Sequence, residues 1–574
     1  MAKPTPLEIT RANDWDVRIR WSDGHDAVYP ARYLRIRCCC AVCTAVAEVP
    51  ADERVHPLAI RPVGDYAIQF EWSDGHGAGL YSYGYLRGIC PCPTCASEIT
   101  GPMTPTQAPH VETPHGFWQT IREAIRGTHH DYTSGPIGRA IILLAVPMVL
   151  EMLMESLFAI ADIFWVGHLG ADAVATVGLT ESMLTLVYTA AMGLGIGVTA
   201  MVARRIGEKN PEGAAEAAVQ GIALGVIAAA SIGTLGVVLA PRLLAIMGAS
   251  PDVIALGHNY TRVMLGGNVV ILLLFLINAI FRGAGDAAIA MRVLTLANTI
   301  NIVLGPLLIF GVGPFPRLGV TGAAIATTIG RGTGVLYQLY RLWRGDGRVV
   351  IRREHIGLKP AVMRTLLRLS GTGTFQVFVG TASWIGLTRI NASFGTEAVA
   401  GYQIAIRIII FALLPSWGLA NAAATMVGQA LGAGKPERGE HAVWRAALYN
   451  MFFLGTAGLL FVIFANPIAH LFTKDLAVAQ IAADCLRIIS YGYLFYAYGM
   501  VLTNSFNGAG DTWTPTWLNL FCFWLWEIPL AWVLARHFNL GPQGVAWAVT
   551  IAFSTLAVAS AVLFRRGRWK LQTV

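Results

Sequence analysis

Two groups of side chains in this sequence are spaced for chemistry. Glu151, Glu155 and Asp162 sit in an otherwise apolar stretch, and on a helix all three fall within about 40° of one another around the axis. An acid at bilayer depth costs a few kcal/mol, so such a stripe must line a wet cavity or meet fixed partners. A carboxylate there can take a proton or attract an organic cation, and competition between the two would give antiport. The alternative is that Glu151 or Glu155 is locked to an arginine inside a bundle, with Arg389 and Arg407 as partners. The second group is cysteine. WSDGH at Trp21 leads through YLR to Cys38, Cys40 and Cys43, and WSDGH at Trp72 leads through YLR to Cys90, Cys92 and Cys95. Three close thiolates supply three corners of a tetrahedron and a histidine the fourth. In a reducing cytosol such clusters indicate metal more often than disulfide.

The elements that position these groups are legible in the hydropathy. The chain has 574 residues, 55% hydrophobic and 13% charged, with a mean hydropathy of +0.55 that makes the bilayer its solvent. From about 141 to 564 run twelve apolar blocks, expected as helices starting near 141, 174, 214, 255, 288, 320, 366, 398, 442, 480, 516 and 542. The second six repeat the first at a shift of 225 residues: GADAVA at Gly170 returns as GTEAVA at Gly395, and FRGAGD at Phe281 as FNGAGD at Phe506. Two homologous bundles hold their substrate in the crevice between them, which argues for alternating access. Arg204, Arg205, Lys209, Arg341, Arg344, Arg348, Lys435, Arg438, Arg565 and Arg566 mark one side, against Arg242, Arg317 and Lys474 on the other. That asymmetry puts both termini in the cytosol. It also accounts for the net charge of +8 without nucleic acid. No basic leader with an apolar core and cleavage site precedes the first block, so the first span is expected to direct insertion.

The expected architecture is therefore an all-α polytopic membrane protein of twelve transmembrane helices in two six-helix lobes, preceded by a small strand-rich, cysteine-containing soluble domain. The head takes residues 1–98, a linker 99–135, the first lobe 136–345, a cytosolic loop 346–365 and the second lobe 366–574. Within the linker, FWQTIREAIR at 117–126 has an amphipathic pattern suited to a membrane face.

The membrane part resembles the multidrug and toxic compound extrusion (MATE) family over about 136–565. The resemblance rests on Pro147 followed by ADIFWVGHLGADAVATVGL, on GLGIGVTAMVARRIGEKN, and on AGYQIAIRIIIFALLPSWGLANAAATMVGQALGAGKPE. It implies two lobes forming a V in a bacterial inner (plasma) membrane. It also implies export of organic, often cationic compounds against an inward flow of protons or sodium ions. Asp162 matches the acid that family members use for cation coupling in the first helix. One branch adds an asparagine and, four residues later, an aspartate, where this chain has Asn301 and then Gly305. Thr327 resembles a further polar position of that site. With few carboxylates the site suits a proton better than sodium, and Glu151 or Glu155 would compensate for Gly305.

For substrate, the candidates are Glu181, Gln376, Tyr493, Tyr496, Trp526 and Glu527, the last two within FCFWLWEIP, where aromatic rings can hold an organic cation. Residues 7–98 resemble the amino-terminal domain of gamma-butyrobetaine hydroxylase-like proteins, which implies Cys38, Cys40, Cys43 and His76 as zinc ligands, with Cys39 an extra thiol between them. The second cluster, Cys90, Cys92 and Cys95 with His25, would hold another ion or an iron–sulfur centre, or be inert cysteine. No GxxxxGK[ST] loop occurs, so ATP use is not supported, and no room remains for an oxygenase barrel, so an enzyme is not expected. A flippase for a lipid-linked precursor would want basic residues in the crevice, where this chain offers acids. A third reading makes the bundle an exporter of a metabolite or metal complex regulated by the head. Each lobe is complete, so one chain is expected to suffice.

Overall fold

The computed structural model describes residues 5–13, 15–38, 40, 43, 55–63, 67–77, 79–92, 95, 117–127, 130–345 and 347–572. Cys39 and most of the linker lie outside them. The chain divides into two compact units, the head up to Gly116 and the bundle from Phe117.

The head is built twice. Strands β1 (Pro6–Arg11), β2 (Val17–Trp21) and β3 (Asp26–Tyr29) form one antiparallel sheet, and β4 (Pro57–Val63), β5 (Ala67–Trp72) and β6 (Leu80–Ser82) form another. Alternation sets the inner face: Val17, Ile19 and Trp21 are buried while Arg18 and Arg20 are exposed. Each sheet is followed by a short helix, α1 (Ala31–Ile36) or α2 (Tyr83–Gly88). The two copies hold each other through exchanged hydrogen bonds. Tyr29 Oη donates to Leu86 O at 3.0 Å and Tyr81 Oη to Leu34 O at 2.8 Å. Tyr33 Oη donates to Ile89 O and Tyr85 Oη to Arg37 O, each at 2.8 Å.

The bundle has the expected order of twelve helical spans. The first lobe comprises Ile137–Gly167, Ala171–Gly207, Pro211–Ile246, Pro251–Ala284, Ala287–Phe310 and Val320–Arg344. The second comprises Pro360–Ala392, Thr396–Gly432, Pro436–Phe472, Leu476–Ala509, Trp513–His537 and Gly541–Arg565. Among the described residues nine helices are long and apolar enough to cross a membrane, and ten once the bent pair Leu476–Tyr491 and Tyr493–Ala509 counts as one. The sixth and seventh spans are less apolar; Arg331 lies in the middle of the sixth.

The shift of 225 residues holds in three dimensions. The second span ends at Gly207 and the eighth at Gly432, while the breaks at Gly267 and Gly492 fall at equivalent positions. Gly285 and Gly510 end their helices with φ of 87° and 88°, a left-handed cap that glycine adopts without strain. Asn210 caps the third span on Gly213 N, and proline opens both the third and the ninth at their first position.

The lobes are joined at the arginine-rich end. A Cβ at Gly207 would lie 2.1 Å from Gln429 O, and one at Gly432 would lie 2.1 Å from Arg204 O, so the second and eighth spans cross backbone to backbone. Arg204 Nη2 donates across the lobes to Ala509 O at 3.2 Å, and Gln429 Nε2 to Gly283 O at 2.9 Å. The segment before the first span is tied to both lobes, with Arg438 donating to the carbonyls of Tyr132, Ser134 and Gly135, and Tyr132 Oη donating to Gly285 O.

Candidate functional site

Between the lobes lies a cavity of about 630 Å³. Spans one, two, four and five of the first lobe and seven, eight, ten, eleven and twelve of the second contribute to its wall. The apolar part includes Tyr188, Phe275, Trp384, Trp417, Tyr496 and Phe523, and the polar part Glu151, Glu155, Asn278, Arg282, Gln376 and Asn507.

The two glutamates arrive on the first span, one turn apart, and each meets an arginine. Arg282 Nη1 donates to Glu151 Oε1 at 2.5 Å, and Asn278 Nδ2 donates to the same oxygen at 3.0 Å. Asn278 is held in turn by Gln338 Nε2 at 2.6 Å. Arg331 Nη2 donates to Glu155 Oε1 at 2.9 Å; its guanidinium also reaches Tyr188 Oη at 3.2 Å and stands over the Phe158 ring. The alternative of arginine partners thus holds for both glutamates, but the partners are Arg282 and Arg331, not Arg389 and Arg407. Each pair leaves one carboxylate oxygen over: among the described residues nothing donates to Glu151 Oε2 or Glu155 Oε2, nor to Gln376 Oε1 or Asn507 Oδ1. All four oxygens are buried, and all four residues border the cavity.

Asp162 is not hydrogen-bonded to these pairs, but the Arg331 guanidinium and the Glu181 carboxylate lie within electrostatic reach of it. It is 8% exposed, and among the described residues no hydrogen bond or ion pair reaches its carboxylate. Asn298 Nδ2 bonds Met154 O at 2.6 Å, and a Cβ at Gly305 would lie 3.7 Å from Trp165 Cδ1, so these contacts of the first and fifth spans bracket Asp162 and Asn301. Asn301 Nδ2 donates to Thr327 Oγ1 at 3.0 Å, both residues buried. The three resemblance-derived coupling residues therefore sit inside the first lobe, outside the cavity that Glu151 and Glu155 line.

Of the candidates for substrate, Gln376 and Tyr496 line the cavity. Tyr493 is buried against Phe461, Glu527 is buried in the second lobe, and Glu181 is exposed on the second span, all away from that wall. Trp526 is 39% exposed and turned outward, because residues 520–527 form a π-helical stretch that presents Phe523 to the cavity. Trp524 Nε1 binds Val379 O at 2.9 Å.

In the head, Cys38, Cys40 and Cys43 converge on His76 Nε2 at 3.4, 3.4 and 3.6 Å. A tetrahedral zinc spaces its sulfur and nitrogen ligands by roughly 3.6 Å, so the donor set fits that ion in type and spacing. Arg35 Nη1 donates to Cys43 Sγ at 3.3 Å while Arg35 Nε pairs with Asp74 at 2.7 Å. Burial and the nearby Arg35 guanidinium hold His76 below the usual imidazole range, in its neutral, ligating form. Burial first, and the adjacent Cys40, push the Cys38 thiol up to about 12, a penalty that a divalent cation among the sulfurs removes. His25, Cys92 and Cys95 form a second convergence within 4.8 Å; the fully buried Cys90 stands beside Cys92 but outside that group.

The MatE family model matches residues 147–307 and 375–533, and the model of the gamma-butyrobetaine hydroxylase-like N-terminal domain matches 9–87. A probable multidrug resistance protein NorM of Thermotoga maritima is 27% identical over 76% of this chain and 94% of its own length. An FAD transporter of Shewanella oneidensis is 26% identical over 76% of this chain and 96% of its own. A solved MOP superfamily transporter from Pyrococcus furiosus, described as having a binding pocket of reverse polarity, aligns with a TM-score of 0.72 and 27% identity, covering 77% of this chain and 98% of that one.

Proposed function

The chain belongs to the MATE family of membrane transporters, and on that premise we propose that it exports organic cations and other donor-rich amphipaths in exchange for protons taken up at Asp162. The family's proteins are transporters, not enzymes, and their cargo is small molecules. The observation that carries the cationic reading is the set of acceptor oxygens without a hydrogen-bond partner among the described residues, each buried on a residue that borders the cavity, Glu151 Oε2 and Glu155 Oε2 foremost. Arg282 and Arg331 cancel the full charge of the two glutamates, so selection rests on N–H donors and aromatic surface rather than on a strong negative field.

Coupling at Asp162 is supported by its burial without a hydrogen bond among the described residues, in the lobe that also buries the bonded Asn301 and Thr327. A carboxylate so placed, with the Glu181 carboxylate and the Arg331 guanidinium in electrostatic reach, suits a proton; sodium prefers more oxygen ligands. Cys38, Cys40, Cys43 and His76 would hold zinc in the head, where its chemistry is structural.

A second reading has one specific support. Arg282 lines the cavity, and a relative is described as an FAD transporter, so an anionic nucleotide would find one guanidinium there.

Efflux of a fluorescent organic cation from drug-sensitive bacterial cells tests the proposal, with proton and sodium gradients imposed separately on the intact protein and on Asp162→Asn. Efflux is expected to follow the proton gradient and to fall to the level of cells lacking the transporter in the variant. Sodium-driven efflux would replace the coupling ion. Transport of a flavin dinucleotide in place of the cation would establish the second reading.

A further inference from the structure

The head's second convergence repeats the first under the internal duplication. Cys90, Cys92 and Cys95 follow Cys38, Cys40 and Cys43 by 52 residues, and His25 precedes His76 by 51. The histidines are placed by the same turn: Trp21 N donates to His25 O at 2.7 Å and Trp72 N to His76 O at 2.9 Å, with Gly24 and Gly75 at φ of 85° and 80°. The supporting arginines repeat as well. Arg87 Nη1 donates to Cys95 Sγ at 3.2 Å and Arg87 Nε to Asp23 Oδ2 at 2.8 Å, matching Arg35 with Cys43 and Asp74. Cys95 Sγ lies 3.3 Å from His25 Nε2.

We propose that His25, Cys92 and Cys95, with Cys90 as fourth donor, bind a second divalent transition-metal ion of the zinc class. Sulfur and imidazole donors exclude the hard cations magnesium and calcium. Three thiolates around a divalent ion leave one negative charge, and the Arg87 guanidinium on Cys95 balances it as Arg35 does in the first cluster. Arg87 Nη2 also reaches His25 Nδ1 at 2.8 Å, which places the ring proton on Nε2. Ligation through Nε2 requires the ring proton on Nδ1, where Arg87 Nη2 can no longer donate, so the guanidinium must draw back from the ring and the Nδ1 proton turn to Asp23 Oδ2, at 3.8 Å, while each bound cysteine releases one proton to water.

The exchange of ligands between copies has a consequence. Each cluster takes its cysteines from one repeat and its histidine from the other, so each ion staples the two copies together. The first ion bound then prepares the histidine and cysteines of the second, and the two occupancies rise together.

The test is metal content of the full chain in detergent after loading with zinc and desalting. Two ions per chain are expected in the intact protein and one in Cys95→Ser and in His25→Ala. Cys43→Ser, which empties the first cluster, is expected to retain one, so the two sites fail separately. One ion in the intact protein, unchanged in Cys95→Ser, overturns the proposal, as do two ions in both. If Cys95→Ser loses both ions because the head comes apart, the ligand-conserving His25→Cys decides: two ions support the site and one ion sinks it. Cobalt(II) in place of zinc is expected to show thiolate charge-transfer absorption that halves in Cys95→Ser. Iron with acid-labile sulfide in anaerobically purified protein would refute the zinc-class assignment.

Discussion

Helix for helix the two lobes share their ends and their breaks, yet a shift of 225 residues carries Glu151 onto Gln376, Glu155 onto Gly380, Asp162 onto Leu387, Arg282 onto Asn507 and Arg331 onto Leu556. Glu151, Glu155 and Arg282 line the same cavity as their counterparts Gln376, Gly380 and Asn507. What the copies kept is what backbone proximity requires: Gly207 with Gly432, Gly283 with Gly508, Gly285 with Gly510. What they did not share is charge. Intramembrane charges are costly, and every charged side chain on the cavity wall, Glu151, Glu155 and Arg282, comes from the first lobe.

The largest effect comes from making the first lobe resemble the second at its most buried arginine. Arg331→Leu, the residue of position 556, leaves Glu155 without its cation; breaking a buried pair costs about 3–5 kcal/mol, and the solubilised protein is expected to melt well below the intact one. Arg331→Leu with Glu155→Gln removes both charges and is expected to recover most of that loss. Equal melting of the single and double variants would show that the pair is not what holds the sixth span to the first, and the contrast between the lobes would lose its energetic meaning.

Much of this arrangement was legible in the sequence because repeats and helical phase are local patterns. The shift fixed by GADAVA and FRGAGD predicts the matched ends at Gly207 and Gly432, and the 3.6-residue period puts Glu151 and Glu155 on the cavity side together. The partners of those acids were not legible, since Arg282 and Arg331 come from the fourth and sixth spans, 131 and 176 residues away. Arg282 stood inside FRGAGD, a motif read as a marker of the repeat. A charge-by-charge comparison at the same shift carries the missing signal, because each of the five charged positions has an uncharged counterpart. Trp526 is a candidate through its aromatic neighbours in FCFWLWEIP, and aromatic composition does not say which ring turns to the cavity: in the π-helical stretch 520–527 that ring is Phe523. In the head, the histidine of each cluster belongs to the other repeat, which spacing along the chain indicates but only the exchanged tyrosine bonds explain.

The next effect tests the shared part. Gly207→Ala and Gly432→Ala each put a methyl into a facing carbonyl, at 2.1 Å in both cases. Overpacking of this kind costs about 1–3 kcal/mol, so each variant is expected to loosen the joined, arginine-rich end to a similar degree. Labelling of a single reporter cysteine at Thr199 on the cavity wall, from that side of the membrane, measures it. A large effect from one glycine and none from its counterpart would mean that the two lobes do not contribute equally to the crossing.

The smallest effect concerns the cavity itself. Glu151→Gln gives the first lobe the side chain that the second has at Gln376, and it keeps an acceptor for Asn278 while removing the charge opposite Arg282. Arg282 is more exposed than Arg331, 12% against 3%, and borders the cavity, so water can compensate its lost partner and the melting temperature should move less than in Arg331→Leu. The cavity wall then carries an uncompensated guanidinium. The half-saturating concentration of an organic cation is expected to rise about tenfold, equivalent to about 1.4 kcal/mol, while export of the same cation keeps its proton dependence. An unchanged cation affinity would place the selective contacts on the aromatic wall of Trp384, Trp417 and Tyr496 rather than on the acceptors. An improved affinity would show that Glu151 is held too tightly by Arg282 to meet substrate at all, and the asymmetry between the lobes would then serve the bundle's assembly instead of its cargo.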